Sequence, residues 1–238
     1  MAEERLLTGS IGADYTTGKY GQDEKTEITS FSFAAKYEIG RWTYRASVPY
    51  IQITGPSNVV GSGEEGVTLP GETAPRRSAA GLGDVVLGAS YFALHERSAP
   101  LLLEFGGKLK LGTGDEQEGL STGKHDLSVQ ADAFKPYGAL TPFATIGYRW
   151  YGDPEGIDLR NVVYGSLGAA YRMSAATSAG LAYDFRDRIV DGGARVSELL
   201  AFVSYRLSQD MKLQVYLVKG FADASPDRGV GAVISHLF

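Results

Sequence analysis

Apolar and polar residues alternate with a period of two along almost the whole chain, and this pattern strongly limits its possible folds. In residues 27–39, for example, the odd positions from Phe31 to Ile39 are apolar, whereas the even positions from Ser30 to Glu38 are polar or small. Such alternation is typical of β-strands whose two faces meet different surroundings. Twelve segments show it: residues 9–17, 27–39, 42–53, 84–91, 101–111, 126–133, 144–150, 163–172, 181–186, 198–207, 212–217 and 229–238. The sequence therefore predicts an all-β fold of about twelve strands.

The last ten residues, 229–238, indicate how such a sheet would end. They place Val230, Ala232, Ile234 and Phe238 on one face, and the chain stops on an aromatic residue in the middle of the pattern. A free end of a soluble domain more often frays into polar residues. A last strand that pairs with the first leaves no open edge, as in outer-membrane β-barrels. We therefore expect one closed antiparallel barrel formed by a single domain, residues 1–238.

The polar face of the strands decides between a soluble and a membrane barrel. It carries charges in mid-strand, such as Glu104, Lys108, Arg149, Asp184 and Glu198, and we expect it to stay polar on every strand. In a membrane barrel the apolar face meets lipid and the polar face lines the interior. Strands of roughly 9–13 residues also suit a tilted crossing of the hydrocarbon layer. A transmembrane β-barrel is thus favoured over the alternative, a soluble β-sandwich or a pair of small barrels.

Aromatic residues and connection lengths point the same way. Aromatic side chains gather toward both ends of the strands, as at two membrane interfaces. Short turns alternate with long loops, which predicts short periplasmic turns and longer extracellular loops. The longest loop is expected at about residues 54–82, with enough length to fold inward and plug the mouth. The aromatic residues concerned are Trp42, Tyr44, Tyr91, Tyr171, Tyr205 and Phe238 beside the short turns, and Tyr15, Phe31, Tyr50, Tyr148, Trp150 and Phe185 beside the long loops.

Composition excludes several other classes of protein. The net charge of −5 and the lack of long basic runs argue against nucleic-acid binding. No apolar run approaches the ~18 residues of a membrane-spanning helix. The chain contains no cysteine, which excludes disulfides and thiolate metal sites and suits an exported protein. We expect a bacterial outer-membrane location after removal of a signal peptide, a monomer in contact with lipids and lipopolysaccharide, and neither cofactor nor metal.

The inward-facing positions supply the candidate site residues. We predict that charged side chains line the interior and pair with one another or sort permeants by size and charge. We also expect Asp84 and Asp126 to point inward near the outer rim and to pair with a lysine or arginine. Three aromatic residues, Tyr164, Phe202 and Tyr216, are candidates for an apolar track or for filling the wall. The charged candidates are Lys36, Arg45, Glu104, Lys108, Lys110, Asp132, Arg149, Arg172, Asp184, Arg186, Glu198 and Arg206.

Catalysis is the main competing hypothesis, because some membrane barrels are enzymes. A lipid-acting hydrolase needs histidine, serine and a polar orienting group near the outer leaflet. Of the three histidines, His95 falls at a predicted short turn and His236 near the periplasmic end. His125, close in sequence to Ser121 and Ser128, is the one candidate. We expect no catalytic residues and no enzyme activity.

Glycine-rich strand ends in the middle of the chain resemble a known family. Residues 81–91 read Gly-Leu-Gly-Asp-Val-Val-Leu-Gly-Ala-Ser-Tyr, residues 107–115 read Gly-Lys-Leu-Lys-Leu-Gly-Thr-Gly-Asp, and residues 121–126 read Ser-Thr-Gly-Lys-His-Asp. These motifs resemble the outer-membrane channel family of the "MetA-pathway of phenol degradation", with Gly112 where that family usually has proline. The resemblance implies a barrel that admits small hydrophobic or aromatic molecules, and it implies no particular binding residue.

The sequence therefore predicts an outer-membrane channel for passive uptake of a small, hydrophobic or aromatic permeant. The alternatives are a barrel enzyme acting on lipids and a structural or adhesive barrel without transport.

Overall fold

The chain forms fifteen β-strands in a computed structural model that describes residues 5–62, 65–69, 75–94 and 101–238. Twelve strands of about the predicted positions build most of the wall, and three short ones, one of which also pairs with the wall, lie within the stretch predicted as the longest loop. The strands are β1 (Arg5–Gly18), β2 (Thr26–Ile39), β3 (Trp42–Pro56), β4 (Val59–Ser62), β5 (Glu65–Thr68), β6 (Arg76–Leu82), β7 (Val85–Leu94), β8 (Leu102–Leu111), β9 (Asp126–Phe134), β10 (Leu140–Trp150), β11 (Val162–Arg172), β12 (Thr177–Arg186), β13 (Val196–Arg206), β14 (Met211–Gly220) and β15 (Arg228–Leu237).

The wall is a closed antiparallel barrel. Each wall strand pairs with its neighbour in the chain, and β15 returns to pair with β1 from Thr8 opposite Leu237 to Thr17 opposite Arg228. The Phe238 amide also donates to the carbonyl of Leu7 at 2.9 Å. The predicted closing role of the last ten residues is therefore confirmed, and the ring leaves neither β1 nor β15 with an open edge.

The apolar face of the strands lies on the outside of the barrel. Leu181 and Val203 are 54 % and 42 % exposed, whereas Ala182 and Ser204, the next residue on each strand, are buried on the inside. A soluble barrel would place Leu181 and Val203 in its core. The arrangement confirms the predicted membrane-barrel architecture. No helix in the described part of the chain has the length and apolar character needed to cross a membrane.

The connections differ in length at the two ends of the barrel. Turns at residues 40–41, 135–139, 173–176 and 207–210 lie at one end, which we call the short-turn end. Loops at residues 19–25, 112–125, 151–161, 187–195 and 221–227 lie at the other, the long-loop end. The turn predicted around His95 lies outside the described residues.

Residues 54–82 are not one irregular loop, which corrects the sequence-based expectation. β4 and β5 form a two-stranded hairpin that pairs with no other strand. β6 pairs with the half of β3 that is nearer the long-loop end. β7 then pairs with the half of β3 that is nearer the short-turn end, so β6 and β7 together form one interrupted wall strand. Tyr50 of β3 pairs with Leu82, and Ser47 of β3 pairs with Val86. Between these two pairs the β6–β7 side has one residue more than β3, at Gly83–Asp84. Because of this β-bulge, the apolar residues of β7 face outward like those of β6.

Candidate functional site in the barrel interior

The middle of the barrel holds a polar cavity of about 320 Å³. Its walls come from β3, β7, β8, β9 and β10, whose inward positions carry charged or small side chains. Small residues such as Gly88 and Gly106 leave the space into which the long side chains extend. Six of the charged candidates line it: Arg45, Glu104, Lys108, Lys110, Asp132 and Arg149.

Arg45 and Glu104 form a polar contact along the wall of this cavity through Ser90, which lies on the strand between them. The Ser90 hydroxyl donates to the Glu104 carboxylate, and the Arg45 guanidinium donates to the Ser90 hydroxyl oxygen at 3.0 Å. Arg45 Nη1 also lies 3.7 Å from Glu104 Oε1. Because Glu104 is buried, these partners offset the loss of water around its charge.

Lys110 joins two aspartates at the top of the cavity. Its ammonium lies 2.7 Å from Asp84 Oδ2 and 3.3 Å from Asp126 Oδ2, and all three side chains are buried. The other Asp84 oxygen accepts the amides of Thr113 and Gly114 at 3.1 and 3.0 Å. The prediction that Asp84 and Asp126 point inward and pair with a lysine is confirmed. The cluster fastens the bulge before β7 to the start of the loop that follows β8.

Asp132 and Arg149 are held by neighbouring side chains. Asp132 accepts from Gln130 at 2.8 Å and from the Thr145 hydroxyl at 2.6 Å. The Arg149 guanidinium lies 5.6 Å from the ring centre of Tyr151 and 5.4 Å from that of Tyr164, within the range of cation–π attraction. Fixed side chains of this kind give the cavity a defined shape.

A second cavity, of about 550 Å³, opens toward the short-turn end. Lys36 and Arg206 line it, and Lys36 Nζ lies 2.7 Å from Glu38 Oε2. The two cavities share Arg45 and Ser47. Together the two neighbouring cavities extend from the short-turn end to the level of Lys110.

The remaining charged candidates lie at the two ends of the interior. Arg172 is exposed and donates to the Gly138 carbonyl at 3.4 Å, at the short-turn rim. Asp184 and Glu198 face each other across β12 and β13 toward the long-loop end. Arg186 is buried there and donates to the Tyr151 hydroxyl at 3.4 Å. Whether any of the charged candidates contacts a permeant stays a prediction.

The middle of the inner face of β12, β13 and β14 is apolar, so the expectation that this face stays polar along every strand is wrong. Across these strands Ala182 is opposite Leu200 and Leu200 opposite Val218, and in the next row Phe202 is opposite Tyr216. We call these five residues the inner apolar patch. Leu200, Phe202, Tyr216 and Val218 are half-buried, and the alternation along each strand places them on the inward face. Sequence reasoning missed Leu200 and Val218 because apolar residues occupy both faces of β13 and β14, which removes the alternation.

The three aromatic candidates pack against glycines of neighbouring strands. Tyr164 covers Gly147, Phe202 covers Gly180, and Tyr216 covers Gly231, so that a side chain at any of these glycines would overlap the ring. Tyr164 also donates its hydroxyl to Gln130 at 3.1 Å. Rings that lie along the wall in this way fill gaps left by glycine and keep the lumen open beside them.

The hairpin of β4 and β5 closes the long-loop end. Val59 is fully buried in a first apolar cluster with Ile51 and Ile53 of β3, Ala79 of β6, and the loop residues Tyr20 and Leu120. Tyr20 holds a left-handed backbone, with φ of 51°, and burial raises the pKa of its hydroxyl to about 12. That group therefore stays neutral within the cluster.

Val60, the next residue, enters a second apolar cluster on the far side of the barrel. It packs with Tyr151, Leu159, Val162 and Ile189, which belong to β11 and to the loops beside β11 and β12. In the ring order, β3 and β11 lie almost opposite each other among the twelve wall strands. The hairpin thus spans the mouth from wall to wall. The sequence signal for it was the Val59–Val60 pair inside an otherwise polar stretch.

A closed barrel with an apolar exterior and a charged interior is the architecture of an outer-membrane β-barrel protein. The chain belongs to the family described as "Putative MetA-pathway of phenol degradation", which matches residues 8–238. The predicted family resemblance is therefore confirmed, over far more of the chain than the central motifs that indicated it.

Comparison with solved structures supports the same fold. The COG4313 outer membrane channel from Pseudomonas putida F1 is 15 % identical, with a TM-score of 0.76 over 98 % of this chain and 95 % of that one. The KdgM porin in complex with disordered oligogalacturonate is 8 % identical, with a TM-score of 0.58 over 95 % and 98 %. The NanC porin is 9 % identical, with a TM-score of 0.59 over 96 % and 98 %. No curated protein matches the sequence.

Proposed function

We propose that the protein is a passive outer-membrane channel for small hydrophobic or aromatic molecules. The observation that carries the proposal is the inner apolar patch on the inward face of the wall strands β12–β14. A porin for fully hydrated solutes needs no such surface, because polar walls serve it better. The apolar clusters at the mouth place further apolar side chains at the entrance.

The charged half of the interior is compatible with this role. Most of its side chains are paired, as in Lys110 with Asp84 and Arg45 with Glu104. These ion pairs stabilise the wall and keep the lumen hydrated. The apolar patch offers a separate surface along which a hydrophobic molecule moves. The family resemblance to channels of phenol degradation agrees with a permeant of this class.

The location and assembly are part of the same proposal. The protein lies in the bacterial outer membrane as a monomer, with its apolar exterior against lipids and its long loops facing outward toward lipopolysaccharide. It reaches that membrane after export and removal of a signal peptide.

A lipid-acting enzyme is less well supported. The His125 Nδ1 atom accepts the Gly112 amide at 3.1 Å, and the Ser121 hydroxyl oxygen accepts the Gly123 amide at 2.8 Å. Both side chains thus serve the loop between β8 and β9. Within the described residues they form no hydrogen bond with each other, and Ser121 is buried away from any lipid surface.

Uptake by cells tests the proposal. A deletion strain would be complemented with the wild type, with Leu200→Ser/Phe202→Ser, or with Leu199→Ser, in which the adjacent but outward-facing residue changes. Initial uptake of radiolabelled naphthalene should rise with the wild type and with Leu199→Ser but fall toward the vector level with the double variant. Gel mobility with and without heating would confirm equal amounts of folded barrel.

Wild-type protein that is folded and abundant, yet leaves naphthalene uptake at the vector level, would contradict the channel proposal. Hydrolysis of phospholipid by the same protein, lost in His125→Ala, would instead support the enzyme. A barrel with neither property would support a structural or adhesive role.

A further inference from the structure

We infer that the mouth contains a binding site for a small apolar molecule and that Val59 and Val60 occupy this site in the closed state. The inference rests on the proposed function and names the first place at which the permeant is held. It starts from the hairpin of β4 and β5, whose two neighbouring valines point in opposite directions. Each enters an apolar cluster on a different wall.

The two walls would form an apolar slot if the hairpin moved away. One side of that slot carries Tyr20, Ile51 and Leu120, and the other carries Tyr151, Leu159 and Ile189. Branched aliphatic side chains with a few tyrosine rings suit a compact, uncharged ligand such as a monocyclic aromatic. All six residues are buried, and they come from the wall or from loops other than the hairpin, so the slot does not depend on the hairpin for its walls.

The hairpin is held mainly by these two valines. It pairs with no wall strand. Its hydrogen bonds to the rest of the barrel include the Gly61 amide to the Gly119 carbonyl at 3.0 Å and the Thr68 hydroxyl to the Tyr20 carbonyl at 2.9 Å. A two-stranded hairpin has little stability of its own. A ligand that replaces the apolar contacts of the valines therefore competes directly with closure.

One buried polar group opposes the closed state. The side-chain amide of Asn58, directly before β4, is buried, and neither its nitrogen nor its oxygen is hydrogen-bonded to a residue that the structure describes. A buried amide without partners destabilises the arrangement that buries it, and the penalty disappears when the group reaches water. Asn58 thus favours release of the hairpin, while the two valines favour closure in the absence of a ligand.

Thiol labelling tests this competition, and the absence of native cysteine makes it specific. A Val59→Cys variant of the full chain would be reconstituted in lipid vesicles and treated with a water-soluble maleimide, with and without toluene. At a free toluene concentration about ten times its dissociation constant, the labelling rate should rise roughly tenfold, because ligand binding shifts the opening equilibrium by that factor. Val60→Cys should respond in the same way from the second cluster.

The matched control is Ala175→Cys, an exposed position in the short turn between β11 and β12. Its labelling rate should not change with toluene. Rates for Val59→Cys and Val60→Cys that stay constant over the same toluene range would overturn the inference. Naphthalene uptake by cells would still decide the channel proposal, because a hairpin that opens without binding toluene still lets a permeant pass, and a site can bind without transport.

Discussion

Single buried charges determine how the bulge and the loop after β8 are held together. Lys110 is the one cation in contact with both Asp84 and Asp126 in the described structure, and the side chains of the three residues are at most 9 % exposed. Three ionised groups out of water need each other, because an unpaired buried charge is strongly unfavourable. Asp84 also accepts hydrogen bonds from two backbone amides of the loop after β8. One residue of the bulge is thus joined both to β8 and to the loop that follows β8.

Removal of this cation should therefore destabilise the barrel severely. We expect Lys110→Met to lower the free energy of unfolding by about 3–5 kcal/mol, since two carboxylates would remain buried without a counter-ion. The comparison is Lys36→Met, which breaks the half-exposed pair with Glu38 and should cost about 0–1 kcal/mol. Urea unfolding of both variants in lipid vesicles, followed by tryptophan fluorescence, measures the difference. Equal midpoints would show that the buried cluster does not stabilise the fold.

For single residues, the sequence predicted whether a side chain points inward better than it predicted which side chain it pairs with. The inward placement of Asp84, Asp126 and Lys110 followed from alternation along three strands. The choice of Lys110 as the common partner did not, because it depends on the registers of β7 with β8 and of β8 with β9, which bring Asp84 and Asp126 to the end of β8. The alternation of one strand does not determine its register with the next strand.

Among the elements, the hairpin of β4 and β5 and the loop after β8 act together. The Gly61 amide donates to the Gly119 carbonyl, and Leu120 packs in the same cluster as Val59. Gly119 has a φ of 62°, and a side chain there would overlap the Arg77 guanidinium. Glycine at this position therefore lets the loop lie against both β6 and the hairpin.

Gly119→Ala should loosen this contact. Left-handed backbone alone costs about 1–2 kcal/mol for a residue with a side chain, and the Arg77 guanidinium must in addition move away from the new methyl group. The control is Gly156→Ala, at a φ of 74° with open space around it, where only the backbone penalty applies. Hydrogen–deuterium exchange at residues 57–61 should become faster in Gly119→Ala and stay unchanged in Gly156→Ala. Unchanged exchange in both variants would mean that the loop does not hold the hairpin.

These elements were the part of the fold that the sequence left open. Ile51 and Ile53 follow the inward pattern of β3, yet they are apolar where the rest of that face is polar. They meet Val59, which is distant in space unless the intervening chain folds back over the mouth. The length of residues 54–82 indicated that this stretch could fold back over the mouth. The pattern of apolar and polar residues within it does not determine which side chains the hairpin contacts.

On the scale of the whole molecule, the inverted barrel follows closely from the alternation. Strands with one uniformly apolar face and charges in the middle of the other have few stable arrangements, and closure by residues 229–238 removes the open edges. The interior was less predictable. Apolar residues such as Leu200 and Val218 lie on the inward face of strands whose outward face is also apolar, so their direction becomes clear only from the register with β12 and β14.

Taken as a whole, the barrel is a hollow conduit whose long-loop end is closed by one small hairpin. The two cavities share Arg45 and Ser47, and the hairpin contacts opposite walls above them. Removal of the hairpin should therefore open the barrel without unfolding it, because no wall strand pairs with β4 or β5.

Single-channel recording in planar bilayers tests this claim most directly. The wild type would be compared with a variant in which residues 57–69 are replaced by a short glycine–serine linker, after both are shown to be folded by heat-dependent gel mobility. We predict that the wild type conducts only in brief openings and that the variant conducts steadily. A folded, inserted variant that leaves the bilayer sealed would contradict the account.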